Sequence, residues 1–160
     1  MTPAAALARE RTVEMHYLYP GHLWTGQAQG LVTTILGTCV AVCLWDPKSR
    51  AGGVNHYLLA KAPLGEHESP RFGTVAIPKL VEDVLARGAR RASLWAKVFG
   101  GMQGTVAKQG AMDIGGANVA LALELLEKLR IPVLARETGG PRGRKLLFDV
   151  EMGNAWVKGL

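Results

Sequence analysis

The chain has 160 residues, 48% of them hydrophobic and 20% charged, with a formal net charge of +6 and two cysteines. That length makes one domain with a substantial core, and so few cysteines exclude a disulfide scaffold and point to a reducing compartment. No apolar stretch is long enough to span a bilayer, and Met1 to Arg11 lack the apolar centre of a secretory signal, so the expected location is cytoplasmic, without membrane insertion.

Residues 1–13 are expected to form a flexible N-terminal segment ahead of a domain over 14–160. Met15 to Tyr19 and Leu31 to Leu36 predict strands around a Pro20-Gly21 turn. The apolar runs Val40 to Trp45 and Val54 to Leu59 flank Asp46-Pro47 and Gly52-Gly53, turn chemistry that predicts a β-hairpin. From Ile77 to Arg87, Leu80, Val81, Val84 and Leu85 recur at helical spacing, with Pro78 in a first turn and Gly88 as the stop. Ala92 to Phe99 is strand-like. Asn118 is expected to cap a second helix to Leu129, with Val119, Ala122, Leu123 and Leu126 on its apolar face. Ile131 to Arg136 reads as a buried strand, and Leu146 to Val150 with Ala155 to Lys158 as a closing hairpin. This order predicts an α/β fold, a single-domain layered sandwich with a mixed, largely antiparallel sheet.

The strongest candidate for chemistry is Cys39 with His56, seventeen positions later. A thiol becomes a nucleophile at neutral pH when a neighbour takes its proton or lowers its pKa, and an imidazole does both. Gly37 permits a sharp turn ahead of Cys39, which would leave backbone N–H groups free for an oxyanion. Hairpin arithmetic complicates the pairing. A turn centred near residues 49 and 50 sets His56 opposite position 43, roughly 13 Å along the strand from Cys39, so naive register favours Cys43. A bulge at Gly52-Gly53, or a turn that folds Cys39 back, would restore the contact. Spacing alone leaves both cysteines open.

Thr33-Thr34-Ile35-Leu36-Gly37-Thr38-Cys39-Val40-Ala41-Val42-Cys43 and Gly52-Gly53-Val54-Asn55-His56-Tyr57 resemble the signature of the CheD family, chemoreceptor glutamine deamidases of bacterial and archaeal chemotaxis. Ala96-Lys97-Val98-Phe99-Gly100-Gly101, Ile114-Gly115 with Asn118, Gly139-Gly140 and Gly143-Arg144-Lys145 resemble that family's later blocks, so the likeness runs from about residue 15 to 160. Thr38 stands where serine is common, and Gly116-Ala117 where polar residues are more usual.

The resemblance implies an α/β/α arrangement and a Cys/His deamidase. Cys39 would be the nucleophile, His56 the general base and acid, and Thr33 the residue that orients His56, through its hydroxyl or its carbonyl. Backbone N–H groups at Thr38 and Cys39 would hold the oxyanion. The product would be glutamate and ammonia, by way of a thioester. A methyl ester has the same acyl geometry and an easier leaving group, which makes methylesterase action a side activity to expect. The implied partners are the cytoplasmic helices of chemoreceptors and a CheC-type phosphatase. A second reading is a non-catalytic adaptor that binds a receptor or that phosphatase.

The remaining features point elsewhere or nowhere. The scattered His16, His22 and His67 complete no metal set with the cysteines, and no cofactor is implied. The glycine clusters at 100–104 and 139–143 lack the ending of a phosphate loop, so they read as turn geometry; the alternative, which the resemblance favours, is that they rim a substrate groove, with Phe99, Gly100, Gly101, Gly139 and Gly140 as candidates. Arg87, Arg90 and Arg91, and Arg136, Arg142, Arg144 and Lys145, make basic groups that could meet nucleic acid, a membrane surface or an acidic protein, or simply form a solvated face; no nucleic-acid module accompanies them, and the resemblance implies an acidic receptor surface.

Overall fold

The run Val40-Ala41-Val42-Cys43-Leu44-Trp45 has no polar face, and a strand of that kind needs cover on both sides. The computed structural model, which describes residues 14–104 and 113–160, makes it the central strand of a five-stranded sheet. The expected flexible segment 1–13 lies outside the described residues. In chain order the elements are β1 Met15–Tyr17, β2 Leu23–Gln27, β3 Leu31–Leu36, β4 Val40–Trp45, β5 Ala51–Asn55, α1 Gly73–Ala86, β6 Trp95–Gly100, α2 Ile114–Lys128, β7 Val133–Thr138, β8 Arg144–Asp149 and β9 Asn154–Gly159.

Strand order in the larger sheet is β2-β5-β4-β6-β7, antiparallel throughout except for the parallel β6–β7 pair. The smaller sheet runs β1-β3-β8-β9, antiparallel except for β1–β3. Val40, Val42 and Leu44 pack with Tyr57 against Ile77, Leu80 and Val84 of α1 and Ala122 and Leu126 of α2. The alternate residues Ala41, Cys43 and Trp45 pack with Val54 and Phe99 against Val32, Leu36, Leu146 and Phe148 of the smaller sheet. The α/β class and the mixed, largely antiparallel pairing are as expected. Among the described residues the layers run helices, sheet, sheet, so the face that the resemblance gave to helices is covered by strands.

Local differences have local causes. β2 was not expected, because Leu23-Trp24-Thr25-Gly26-Gln27 carries a glycine and follows a turn; it pairs with β5 over its whole length. Helix α1 begins at Gly73, before Pro78, with Ala76, Ile77, Leu80, Val81 and Val84 buried. Helix α2 is capped by Asp113, whose Oδ1 accepts from Gly116 N at 2.8 Å; Asn118 lies within the helix and is buried. Gly52-Gly53 carries no bulge. A Cβ on Gly53 would stand 2.6 Å from Trp24 O, so glycine lets β2 and β5 approach.

The turn after β4 is organised by Asp46, which is fully buried. Oδ1 accepts from Lys48 N at 2.9 Å and from the Ser93 hydroxyl at 2.6 Å; Oδ2 accepts from the Ser49 hydroxyl and Arg90 N, both at 2.8 Å. Burial by itself raises the carboxyl pKa, but the hydrogen bonds from Ser93, Arg90, Lys48 and Ser49 outweigh it and hold the group below its ordinary 3.8. A lowered folded pKa gives stability that is full above the unfolded value and is lost as pH falls through it. Asp46→Asn should therefore cost about 2 kcal/mol at pH 7, and the gap from wild type should narrow from pH 5 to pH 2 in urea unfolding.

Candidate active site

An antiparallel pair of backbone hydrogen bonds fixes the register here: Val40 N donates to Tyr57 O at 3.1 Å, and Tyr57 N to Val40 O at 3.0 Å. The same register holds at Cys43–Val54, Leu44–Gly53 and Trp45–Gly52, and the turn closes with Asp46 N on Ala51 O. His56 therefore stands opposite Ala41, not Cys43. Cys39 and Cys43 are its two diagonal neighbours on the same face, each about 7–8 Å away between Cα atoms by ordinary sheet geometry. The expected pairing with Cys43 fails because the turn is tighter than assumed. At Val42 the ladder is completed by a side chain, Asn55 Oδ1 accepting from Val42 N at 2.8 Å.

Environment separates the two cysteines. Cys43 is fully buried between the sheets, and desolvation pushes its thiol far above the ordinary range despite the opposing charge of Lys97. Cys39 is partly exposed, at the point where β3 hands over to β4. Burial raises its pKa too, and its own backbone N–H works against the rise. Burial lowers His56 from its ordinary 6.5 to about 4. The resting site thus holds a neutral thiol and a neutral imidazole.

The imidazole is held from the smaller sheet. Thr34 Oγ1 lies 2.8 Å from His56 Nδ1 and 2.7 Å from Leu18 O. A carbonyl only accepts, so the single hydroxyl proton goes to Leu18 O, and the oxygen accepts Nδ1–H from His56. Nε2 is left with the free lone pair. Thr33 does not make this contact. Its hydroxyl donates to Leu146 O at 2.9 Å, and its carbonyl accepts from Leu18 N at 2.9 Å. The reason is strand alternation: Val32, Thr34 and Leu36 face the larger sheet, while Leu31 packs with Leu147 on the opposite side, where Thr33 also points.

The turn before β4 has its three carbonyls fixed. Gly37 O accepts from Met102 N at 2.9 Å, Cys39 O from Gly101 N at 2.8 Å, and Thr38 O from Asn118 Nδ2 at 3.0 Å. Among the described residues, Thr38 N and Cys39 N donate to no backbone carbonyl. Gly100 and Gly101 have φ of 109° and 69°, and a Cβ on Gly100 would stand 2.2 Å from Cys39 O. They are the seat of the turn, which corrects their expected place on a groove. Gly139 N donates to Gly100 O at 3.0 Å and Gly140 O accepts from Gln103 N at 2.8 Å, so this loop backs the seat. Phe99 is 5% exposed and packs between the sheets, because its register partner Ala41 faces that way. Arg144 is also buried, donating to the carbonyls of Glu137 and Gly139, and so leaves the basic surface.

Sequence reasoning missed Thr34, Tyr57 and the bonding of Asn118. A low folded pKa on His56 means stability that is full above pH 6.5 and lost as pH falls toward 4. Urea unfolding should show wild type losing on the order of 3 kcal/mol relative to His56→Gln across that interval.

Comparison with known proteins adds an independent line. The family model described as CheD chemotactic sensory transduction matches residues 59–159, a span that begins just after His56. A protein of Anaeromyxobacter dehalogenans, named "Probable chemoreceptor glutamine deamidase CheD 1", is 54% identical over 144 residues, covering 90% of this chain and 84% of its own length. A Trichlorobacter lovleyi protein, named "Probable chemoreceptor glutamine deamidase CheD", is 41% identical over 144 residues, with 88% of each chain covered. The crystal structure of a Neisseria meningitidis protein of family DUF152 superposes with a TM-score of 0.53 at 10% identity, covering 90% of this chain and 78% of that one. That likeness concerns the fold alone.

Proposed function

The chain belongs to the CheD family, and from that premise we propose that it is a protein-glutamine deamidase of chemoreceptors, with Cys39 as nucleophile and His56 as base. The observation that carries the reading is the proton chain His56 Nδ1 to Thr34 Oγ1 to Leu18 O, which leaves Nε2 basic on the face that Cys39 shares. Its chemistry suits acyl transfer. Nε2 takes the thiol proton as sulfur attacks the side-chain amide carbon of a receptor glutamine. The N–H groups of Thr38 and Cys39 stabilise the oxyanion, and imidazolium returns its proton to departing ammonia. Water, deprotonated by the same nitrogen, then opens the thioester to give glutamate and the free thiol.

The lowered pKa of His56 sets the protonation state from which these steps start. A neutral imidazole is competent above its own pKa, so the acid limb of kcat/KM for the free enzyme is expected below pH 6.5, toward about 4. A methyl ester on the same receptor side chain meets the same geometry, with methanol as the leaving group. The net charge of +6 favours encounter with an acidic receptor surface and makes the on-rate salt-sensitive. A CheC-type phosphatase is a partner that this surface would also suit.

The test is peptide mass spectrometry on a purified receptor cytoplasmic fragment. Wild type and Cys43→Ala should convert glutamine to glutamate, while Cys39→Ala and His56→Ala should fall by at least about a thousandfold. Conversion that survives Cys39→Ala sinks the assignment. In the same assay Thr34→Val should lower kcat by at least about tenfold and Thr33→Val by less than about threefold, since only the former frees the imidazole tautomer.

A further inference from the structure

Asn118 is 0% exposed and sits in the first half of α2, yet its side chain leaves the helix layer for the turn that carries Cys39. Nδ2 donates to Thr38 O at 3.0 Å and to Leu58 O at 2.9 Å. Both acceptors are carbonyls, so the amide orientation is unambiguous and both of its protons are used. Among the described residues, no other side chain bonds the Gly37-Thr38-Cys39 turn. The backbone of Asn118 is held in turn: its carbonyl accepts from the Tyr57 hydroxyl at 2.5 Å, and Tyr57 is the residue paired with Val40. One carboxamide therefore ties the segment after His56 to the segment before Cys39.

The cost of this arrangement is visible. Oδ1 of Asn118 is buried without a hydrogen-bond partner, which a residue serving only the core would avoid. A leucine or alanine at this place on the helix would remove the orphaned Oδ1 but would also take the donor from the carbonyls of Thr38 and Leu58. What the carboxamide supplies instead is the direction of a peptide plane. The Thr38–Cys39 bond is trans and planar, so its C=O and N–H point opposite ways, and fixing Thr38 O toward Asn118 turns Cys39 N–H away from α2.

We infer that Asn118 is a positioning residue for the oxyanion: by holding Thr38 O, it aims the Cys39 N–H at the oxygen of the tetrahedral intermediate. The inference rests on Cys39 being the nucleophile. It assigns the unsatisfied acceptor and the two donated protons to one task, and it separates two properties of the site. Thiol deprotonation depends on His56 and is independent of Asn118. Stabilisation of the intermediate depends on both N–H groups of the turn.

The experiment uses the full chain as wild type, Asn118→Asp, Asn118→Ala and Cys39→Ala. Steady-state deamidation of a receptor fragment is measured beside iodoacetamide labelling of Cys39, mapped by mass spectrometry, and thermal melting. Asp keeps the shape but removes both donors. Both variants should lose kcat by about a hundredfold or more with KM within about threefold, while Cys39 labels within about threefold of wild type. An active wild type with Asn118 variants within threefold in kcat overturns the inference alone. Variants that do not fold, or in which kcat, labelling and melting fall together, assign Asn118 to the core and overturn it too. A wild type that leaves the glutamines intact, or a Cys39→Ala that converts them, removes the deamidase reading and the inference with it.

Discussion

The site depends on two backbone hydrogen bonds between Val40 and Tyr57. Each lies next in sequence to a candidate catalytic side chain, Cys39 before Val40 and His56 before Tyr57. Side chains alternate across a strand, so this one pair sends Val40 and Tyr57 to the helices and leaves Cys39 and His56 to the other face. A slip of one residue in either strand would exchange the faces and bury Cys39 and His56 against α1 and α2. The same register held at Val40, at Cys43 to Trp45 and at Asp46 resists that slip, and the four hydrogen bonds at Asp46 fix where the hairpin turns.

Given that register, His56 has two cysteines at equal diagonal offset, and geometry along the strand does not choose between them. The choice is made by what lies on top. Over Cys43 the smaller sheet closes, with Val54 and Phe99 beside it, and a thiolate there would have no solvation. Cys39 stands at the open end, where three fixed carbonyls leave amides facing outward. The second sheet thus does two things: it dries the region around Cys43, and through Thr34 it holds the imidazole of His56.

Much of this was legible in the residues, and the failures are instructive. β3 and β4 have the boundaries that apolar runs and β-branched residues indicate, and both helices fall where their apolar periodicity lies. The faces of β3 were not legible. Leu31-Val32-Thr33-Thr34-Ile35-Leu36 presents two apolar residues and one threonine on each side, so its pattern cannot say which threonine turns inward. Only pairing with β8, and the packing of Val32 and Leu36 on Phe148 and Leu146, decides it. Phe99 misled for a related reason, since a residue beside a glycine cluster looks peripheral until the sheet fixes its face. Asn118 was taken for a cap because Asn favours caps, whereas Asp113 had the same chemistry one turn earlier.

A site with a raised thiol pKa and a lowered imidazole pKa does not keep a thiolate waiting. An ion pair would make Cys39 reactive toward any electrophile or oxidant that reached it. In the proposed deamidation the proton would move only when an acyl carbon is in place to receive the sulfur, so the charge that burial disfavours would be created beside the turn's amides. The desolvation that suppresses the resting thiolate also strengthens those amides as donors to an oxyanion. On the proposed mechanism, low dielectric would set the selectivity of the site as well as its rate, and the sheet packed over Cys39 and His56 would belong to the chemistry as much as the two side chains do.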